Sequence, residues 1–250
     1  LNTCGNYNVA VGTSAMYTTS GNQNTAVGYL SLYKNTVSDN TAVGAYTLAC
    51  NTTGTYNTAV GYASQNYTNT GGGNTSLGRQ ALYLNNDGGA HNVAIGTFAM
   101  LDNTSGSCNV AVGTCALCDN TTGGNNVAVG WRSLYNNTTA GSNVAMGREA
   151  LVSNTTGAQN VAVGHTSLYT NITGSCNVGI GVCALYTANA ADNTAIGTHA
   201  MRYNTVGTNN VALGVYALRT NTTGKENTAI GAHALCTSDS IYNTAVGAYA

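Results

Sequence analysis

The sequence predicts an all-β protein, a parallel β-solenoid of about 15 coils with a period of about 17 residues. Three observations carry this. The phrase Asn-(Thr/Val)-Ala-(Val/Ile/Leu/Met)-Gly recurs from Asn8 to Asn243 at spacings of 16, 17 or 18 residues. The apolar residues stand in fixed columns of that repeat, which a disordered Asn/Thr/Gly-rich chain has no reason to maintain. Glycine is abundant (32 of 250 residues) and half the first strand positions are β-branched, a poor composition for helix.

Each coil is numbered here from its Asn as position 0. Positions 0–4 form the expected first strand. Position 2 is Ala, with Ser76 and Gly179 as the exceptions. Position 3 is always apolar, with Val11, Val27, Val43, Val60, Ile95, Val112, Val129, Val163, Ile180, Ile196, Ile230 and Val246 among its members. Side chains alternate faces along a strand, so positions 1 and 3 share one side and positions 2 and 4 the other. Both sides are apolar or small, which leaves two arrangements open: either the Val/Ile column or the Ala/Gly face fills the interior.

Gly at position 4, present in every copy, is the expected corner. A second strand is expected around the following Ala-Leu-Tyr segment. Its inward column at position 8 comprises Leu32, Leu82, Leu117, Leu134, Leu151, Leu168, Leu185, Leu218 and Leu235, together with Met and further Leu residues and one departure, Gln65. Tyr17, Tyr33, Tyr83, Tyr135, Tyr169 and Tyr186 line up at position 9, where they are read as packing with the phenol oxygen toward solvent. The coil closes through Asn-Thr-Thr-Gly turns such as Asn51–Gly54, in which one-residue changes in length are absorbed. Stacked Asn columns are expected to form side-chain amide ladders.

The repeat resembles the head repeats of trimeric autotransporter adhesins, whose coils carry an Asn-Ser-Val-Ala-Ile-Gly phrase; Asn92-Val93-Ala94-Ile95-Gly96 and Asn177-Val178-Gly179-Ile180-Gly181 look like it. It is also similar to the Asn-Thr-Ala-(Val/Ile)-Gly…Ala-Leu…Asn-Thr-Thr-Gly arrays of phage-type tail-fibre proteins. The resemblance extends over essentially the whole chain, although the period of about 17 is longer than the adhesins'. It implies a left-handed β-roll, three chains side by side, and a place in an extracellular adhesive or spacer shaft on a cell surface or virion.

With charged residues at 6% and a net charge of -1, the chain has no basic face for nucleic acid. No apolar run approaches the roughly 20 residues that span a bilayer. Residues 1–250 are read as a single repeat solenoid with both ends uncapped, hence as a segment of a longer array or a subunit that stacks head to tail. The expected partner is therefore a further copy of the chain, end to end or as a homotrimer, with cell-surface glycans or matrix as the other class.

Chemistry-bearing residues are sparse. Cys115 and Cys118 form a CxxC without a second pair or a phased His, so no zinc site is read. Cys115 and Cys183 share position 6 but lie four coils apart, about 19 Å at strand spacing, beyond disulfide reach. The eight cysteines are expected to be buried thiols, with a bridge across coils or between chains as the alternative. His91, His165, His199 and His233 are read as surface residues. The acids, among them Asp39, Asp87, Asp192, Glu226 and Asp239, fall mostly in turns without a recurrent pair, which gives a glycosidase little support. No cofactor is expected, and the chain is read as non-enzymatic. Asn51, Asn103, Asn120, Asn137, Asn154, Asn171 and Asn221 head Asn-x-Ser/Thr triplets and are exposed glycosylation acceptors if they are more than turn residues. The functional expectation is a structural fibre or adhesin shaft. Its rivals are an ice- or surface-binding solenoid and the shaft of a carbohydrate-recognising tail fibre.

Overall fold

The computed structural model describes residues 5–85 and 87–250. Cys4 lies outside the described residues. The chain divides into two compact units, residues 1–125 and 126–250. Each is a parallel β-solenoid in which every coil contributes one three-residue strand.

In the first unit the strands Val9–Val11, Thr25–Val27, Thr41–Val43, Thr58–Val60, Thr75–Leu77, Val93–Ile95 and Val110–Val112 stack in sequence order. In the second, Val127–Val129, Val144–Met146, Val161–Val163, Val178–Ile180, Thr194–Ile196, Val211–Leu213, Thr228–Ile230 and Thr244–Val246 do the same. The register is in phase with the repeat, so that Ala26 pairs with Ala42 and Val27 with Val43, and likewise Gly179 with Ala195 and Ile180 with Ile196. Like residues are thus about one strand spacing apart, near 4.8 Å.

The interior belongs to the Ala face. Ala26, Ala42, Ala59, Ala94, Ala111, Ala128, Ala145, Ala162, Ala195, Ala212 and Ala229 are completely buried, while the position-3 residues point outward. The choice follows from size. A coil has only a few residues per side, and the Leu at position 8 fills its lumen from the opposite wall. Only a methyl group or less fits across from it, and a Cβ built on Gly179 already lies 3.3 Å from Leu168 Cγ.

The second strand is not formed. Apart from the two-residue pair Tyr67–Thr68 and Leu84–Asn85, the Ala-Leu-Tyr segments are turns in which positions 6 and 8 are left-handed. Leu32, Leu48 and Leu218 each have φ 48, and Leu30, Tyr46 and Cys183 have φ 55, 59 and 54. Such a conformation costs a non-glycine residue roughly 1–2 kcal/mol. It is held by hydrogen bonds that still run between coils. Leu30 N–H donates backward to Thr13 O at 3.1 Å, and Leu32 N–H donates forward to Thr47 O at 3.0 Å. Alternating the sign of φ lets successive amides reach opposite neighbours while the chain bends, so ladder bonding continues without an extended strand. The position-8 side chains end in the core: Leu32, Leu82, Leu117, Leu134, Leu151, Leu168, Leu185 and Leu218 are fully buried, and Leu235 in the outermost coil is half-buried.

The corner glycine is required on two grounds. Gly44 has φ +133, and a Cβ there would stand 2.5 Å from Gly61 O of the next coil.

Candidate interaction surface

The outward face is built from positions 1 and 3 of each strand. In the first unit Val43, Leu77 and Ile95 are exposed, with Val27, Val60 and Val112 half-buried between them. In the second, Val129, Met146, Ile180, Ile196, Leu213 and Ile230 are exposed and Val163 is half-buried. Val11 and Val246, in outer strands, rise to 56% and 70% exposure. Position 1 adds Thr25, Thr41, Thr58, Thr194, Thr228 and several Val at intermediate or greater exposure. Each unit therefore carries an unbroken ridge of branched apolar side chains at strand spacing, the kind of patch that monomeric soluble proteins seldom leave uncovered.

Behind that face run two buried amide ladders. At position 0 the backbone N–H of each Asn donates to Oδ1 of the Asn one coil earlier, as from Asn57 to Asn40 at 3.0 Å and from Asn160 to Asn143 at 2.9 Å. Its Nδ2 donates to a carbonyl of the turn that closes the same coil, as from Asn92 to Gly106 at 2.9 Å. The second ladder stands at position 11. Asn120 Nδ2 donates to Asn103 Oδ1 at 2.7 Å and also to Gly123 O in its own turn at 2.9 Å.

The Asn-x-Ser/Thr residues are members of this second ladder. Asn51, Asn103, Asn120, Asn137, Asn154, Asn171 and Asn221 are all fully buried, which corrects the expectation of exposed acceptors. Their Nδ2 atoms, where a glycan would attach, are occupied by hydrogen bonds such as Asn154 to Asn137 and Asn171 to Asn154, both 3.0 Å.

Outside the ladders, like residues stack as rings. Tyr17 lies 5.3 Å from Tyr33, and Tyr169 lies 5.0 Å from Tyr186. A column at position 6 runs His199, Tyr216, His233 and Tyr249 with centroid separations of 5.2, 4.9 and 4.8 Å. Arg132 sits over Tyr135 at 4.5 Å, Arg148 over Trp131 at 5.0 Å, and Glu149 lies 3.9 Å from Arg132 and 3.5 Å from Arg148. Arg202 covers Tyr186 and Tyr203, and Arg219 covers Tyr203 and Tyr216. These clusters escaped the sequence reading, although the one-coil separation of Arg132 from Glu149 and of Arg202 from Arg219 was available as a signal.

The cysteines divide by place. Cys118 is buried, and burial, then the Asp119 carboxylate, pushes its thiol well up. Cys108 and Cys176 stand exposed immediately before the Asn of their coils, with φ 60 and 58, so the expectation that all are buried fails for these two. Cys50, Cys183 and Cys236 are half-buried and unbridged. Burial also raises Asp102, with Asp119 adding to it.

An open cleft of about 420 Å³ lies in the first unit between Thr55, Tyr56, Gly72, Gly73, Ala90 and His91, where Gly73 leaves a gap in the column that Tyr56 and His91 flank. Among the described residues no three His, Cys, Asp or Glu side chains are grouped so as to hold a metal ion, and no helix is long and apolar enough to cross a membrane. Comparison of the chain with protein-family models, with curated proteins and with solved structures finds no match in any of the three.

Proposed function

We propose that the protein is a non-enzymatic structural component of an extracellular fibre or adhesin shaft, on a cell surface or virion, as the resemblance to autotransporter heads and phage-type tail fibres implies. The observation that carries this reading is the outward ridge of Val, Ile, Leu and Met. Its members are exposed by 36% at Ile95, Ile180 and Val129 and by 49% at Leu77, in register with one another. Fully burying such a side chain is worth about 1.5–3 kcal/mol, so covering the third to half that remains exposed contributes roughly 0.5–1.5 kcal/mol at each position. A second copy of the same flat, in-phase ridge is the surface best matched to it, and lateral packing of two or three chains follows. Repetition along the ridge multiplies weak contacts into avidity.

The test is assembly. Sedimentation and electron microscopy of the purified chain should show oligomers or fibres. Ile180→Lys combined with Ile196→Lys should return a folded monomer, because the substitutions sit outside the core. A wild-type chain that stays a monodisperse monomer at high concentration defeats the proposal.

One observation favours a second reading, an ice- or surface-binding solenoid. Thr25, Thr41 and Thr58 stand on the same outward face as Val27, Val43 and Val60 in consecutive coils, a regular array of hydroxyl and methyl groups. Thermal hysteresis in dilute solution distinguishes it.

A further inference from the structure

Arg202 and Arg219 occupy the same position in neighbouring coils of the second unit, and Tyr203 N–H donates to Arg219 O at 3.0 Å to hold them in register. Both guanidinium groups sit over tyrosine rings, Arg202 Cζ at 5.6 Å from the Tyr186 centroid and 5.2 Å from that of Tyr203, Arg219 Cζ at 5.7 Å from Tyr203 and 5.1 Å from Tyr216. His199 lies tilted against Tyr216 beside them, with ring centroids 5.2 Å apart, and burial first, then the two guanidinium charges, lowers its pKa.

Three polar atoms in this cluster, His199 Nδ1, Arg202 Nε and Arg219 Nε, are shut off from solvent without a hydrogen-bond partner. The contrast with the Trp131 cluster is instructive. There Glu149 pairs with Arg132 and Arg148, and these are the two ion pairs found among the described residues. The acids of the coils around Arg202 and Arg219 are Asp192, Glu226 and Asp239, which stand at the turn side, before the coil Asn or at position 12. Two permanent cations about one strand spacing apart, near 4.8 Å, thus share a tyrosine-lined face with no carboxylate of their own.

We propose that this face binds an acidic polysaccharide, with Arg202 and Arg219 taking its carboxylate or sulfate groups and the half-exposed Tyr203 ring packing against a sugar face. Arginine seated over aromatic rings still has its terminal N–H donors for a planar or tetrahedral anion, a planar fork that lysine lacks. Two cations alone, on a chain of net charge -1, offer too little positive charge for the continuous phosphates of nucleic acid and suit a glycan that brings one or two anionic groups to one place. The proposal deepens the surface-contact part of the reading above and rests on it only for the partner being a surface polysaccharide.

The test is calorimetric titration of the full chain with a defined uronic-acid tetrasaccharide, against a neutral tetrasaccharide, inorganic sulfate and a short DNA duplex. The acidic glycan should bind, weaken as salt rises from about 50 to about 500 mM, and lose about tenfold or more in affinity in the Arg202→Gln/Arg219→Gln variant. Arg202→Lys/Arg219→Lys should recover part of that loss, and Arg132→Gln/Arg148→Gln should change it less than about twofold. Circular dichroism checks that each variant is folded. If the Gln variant does not fold, the Lys variant carries the decision, because an undiminished affinity there removes the role of the stacked guanidinium. Equal binding of the neutral glycan, of sulfate alone or of DNA overturns the assignment, as does no binding at all. Assembly is read separately by microscopy, so loss of fibres and loss of binding are distinguishable.

Discussion

Gln65 Nε2 donates to Ser76 Oγ at 2.8 Å, and so joins the two places at which neighbouring coils leave the repeat. Gln65 stands where every other coil has Leu or Met, and Ser76 stands where nearly all have Ala. Ser64 completes the contact, its hydroxyl 2.5 Å from that of Ser76. The two irregularities are one buried polar cluster, and it is incomplete, since Gln65 Oε1 has no partner. Ser76→Ala alone should destabilise by about 0.5–1.5 kcal/mol for each bond lost, because Gln65 Nε2 and Ser64 Oγ then keep only their 3.3 Å bonds to Thr58 O and Ala81 O. Gln65→Leu with Ser76→Ala restores the apolar lumen and should be at least as stable as the wild type. A double-mutant cycle by denaturant unfolding measures the coupling, and strict additivity of the two changes would contradict it.

The position-11 ladder has a gap whose effect is visible one coil earlier. Ala188 stands in the Asn column, and Asn171 Oδ1, which should accept from it, is buried without a partner. The backbone at Ala188 matches that of its neighbours, with Ala188 N–H to Leu185 O and Asn171 N–H to Leu168 O both 3.2 Å. Ala188→Asn should therefore slot into the ladder and stabilise the protein by about 0.5–1.5 kcal/mol for each hydrogen bond gained. The melting temperature reads the outcome; a fall would mean that the lumen there has no room for the amide.

Asp239 caps the turn before it. Its carboxylate accepts from Thr222 and Thr223, from both backbone and hydroxyl, and from Gly224 N–H. The Thr222 hydroxyl first, then the backbone amides, hold its carboxyl well below the usual range. A depressed carboxyl contributes stability that is whole above its ordinary value, about 4, and that is lost as pH falls below it. Amide exchange at Thr222 and Thr223 should accelerate in acid. Asp239→Asn should remove that acid limb while keeping the cap, because Asn189 makes the corresponding contacts three coils earlier, accepting from Ile172 and Thr173 N–H at 2.9 Å.

Thiol chemistry should separate the cysteines. Cys108 and Cys176, exposed, should react with a disulfide reagent in the native state, while Cys118, buried with its thiol pushed up, should react only on unfolding. Mass mapping of labelled peptides over time gives the order, and early labelling of Cys118 would contradict the burial.

Much of this architecture was legible because identical neighbours leave few choices. The Asn column, the Leu column and the corner Gly could be placed from period alone, since each must meet its own kind one coil away. Which side of the strand faces in was not legible. Val27 and Ala26 are both apolar, and only the size of the lumen left beside Leu32 decides between them. The missing second strand has a different cause. Tyr favours extended backbone, Leu is an ordinary right-handed residue, and nothing local announces that Leu48 or Tyr46 takes positive φ; the inter-coil hydrogen bonds impose it. The Asn-Thr-Thr-Gly signal was read correctly as a turn, but a turn in which the Asn amide points inward. Arg202 and Arg219 interrupt the position-9 tyrosine column, and nothing local in the sequence announces that they lie over the rings of Tyr186, Tyr203 and Tyr216.

Because most buried amides are answered by a counterpart one coil away, whole coils can be gained or lost with little disturbance to those that remain. A duplication of 16, 17 or 18 codons brings together two surfaces that already match, wherever it starts. Within each unit, length is then a trait that can change by whole coils. Selection on reach can act without first solving a new packing problem.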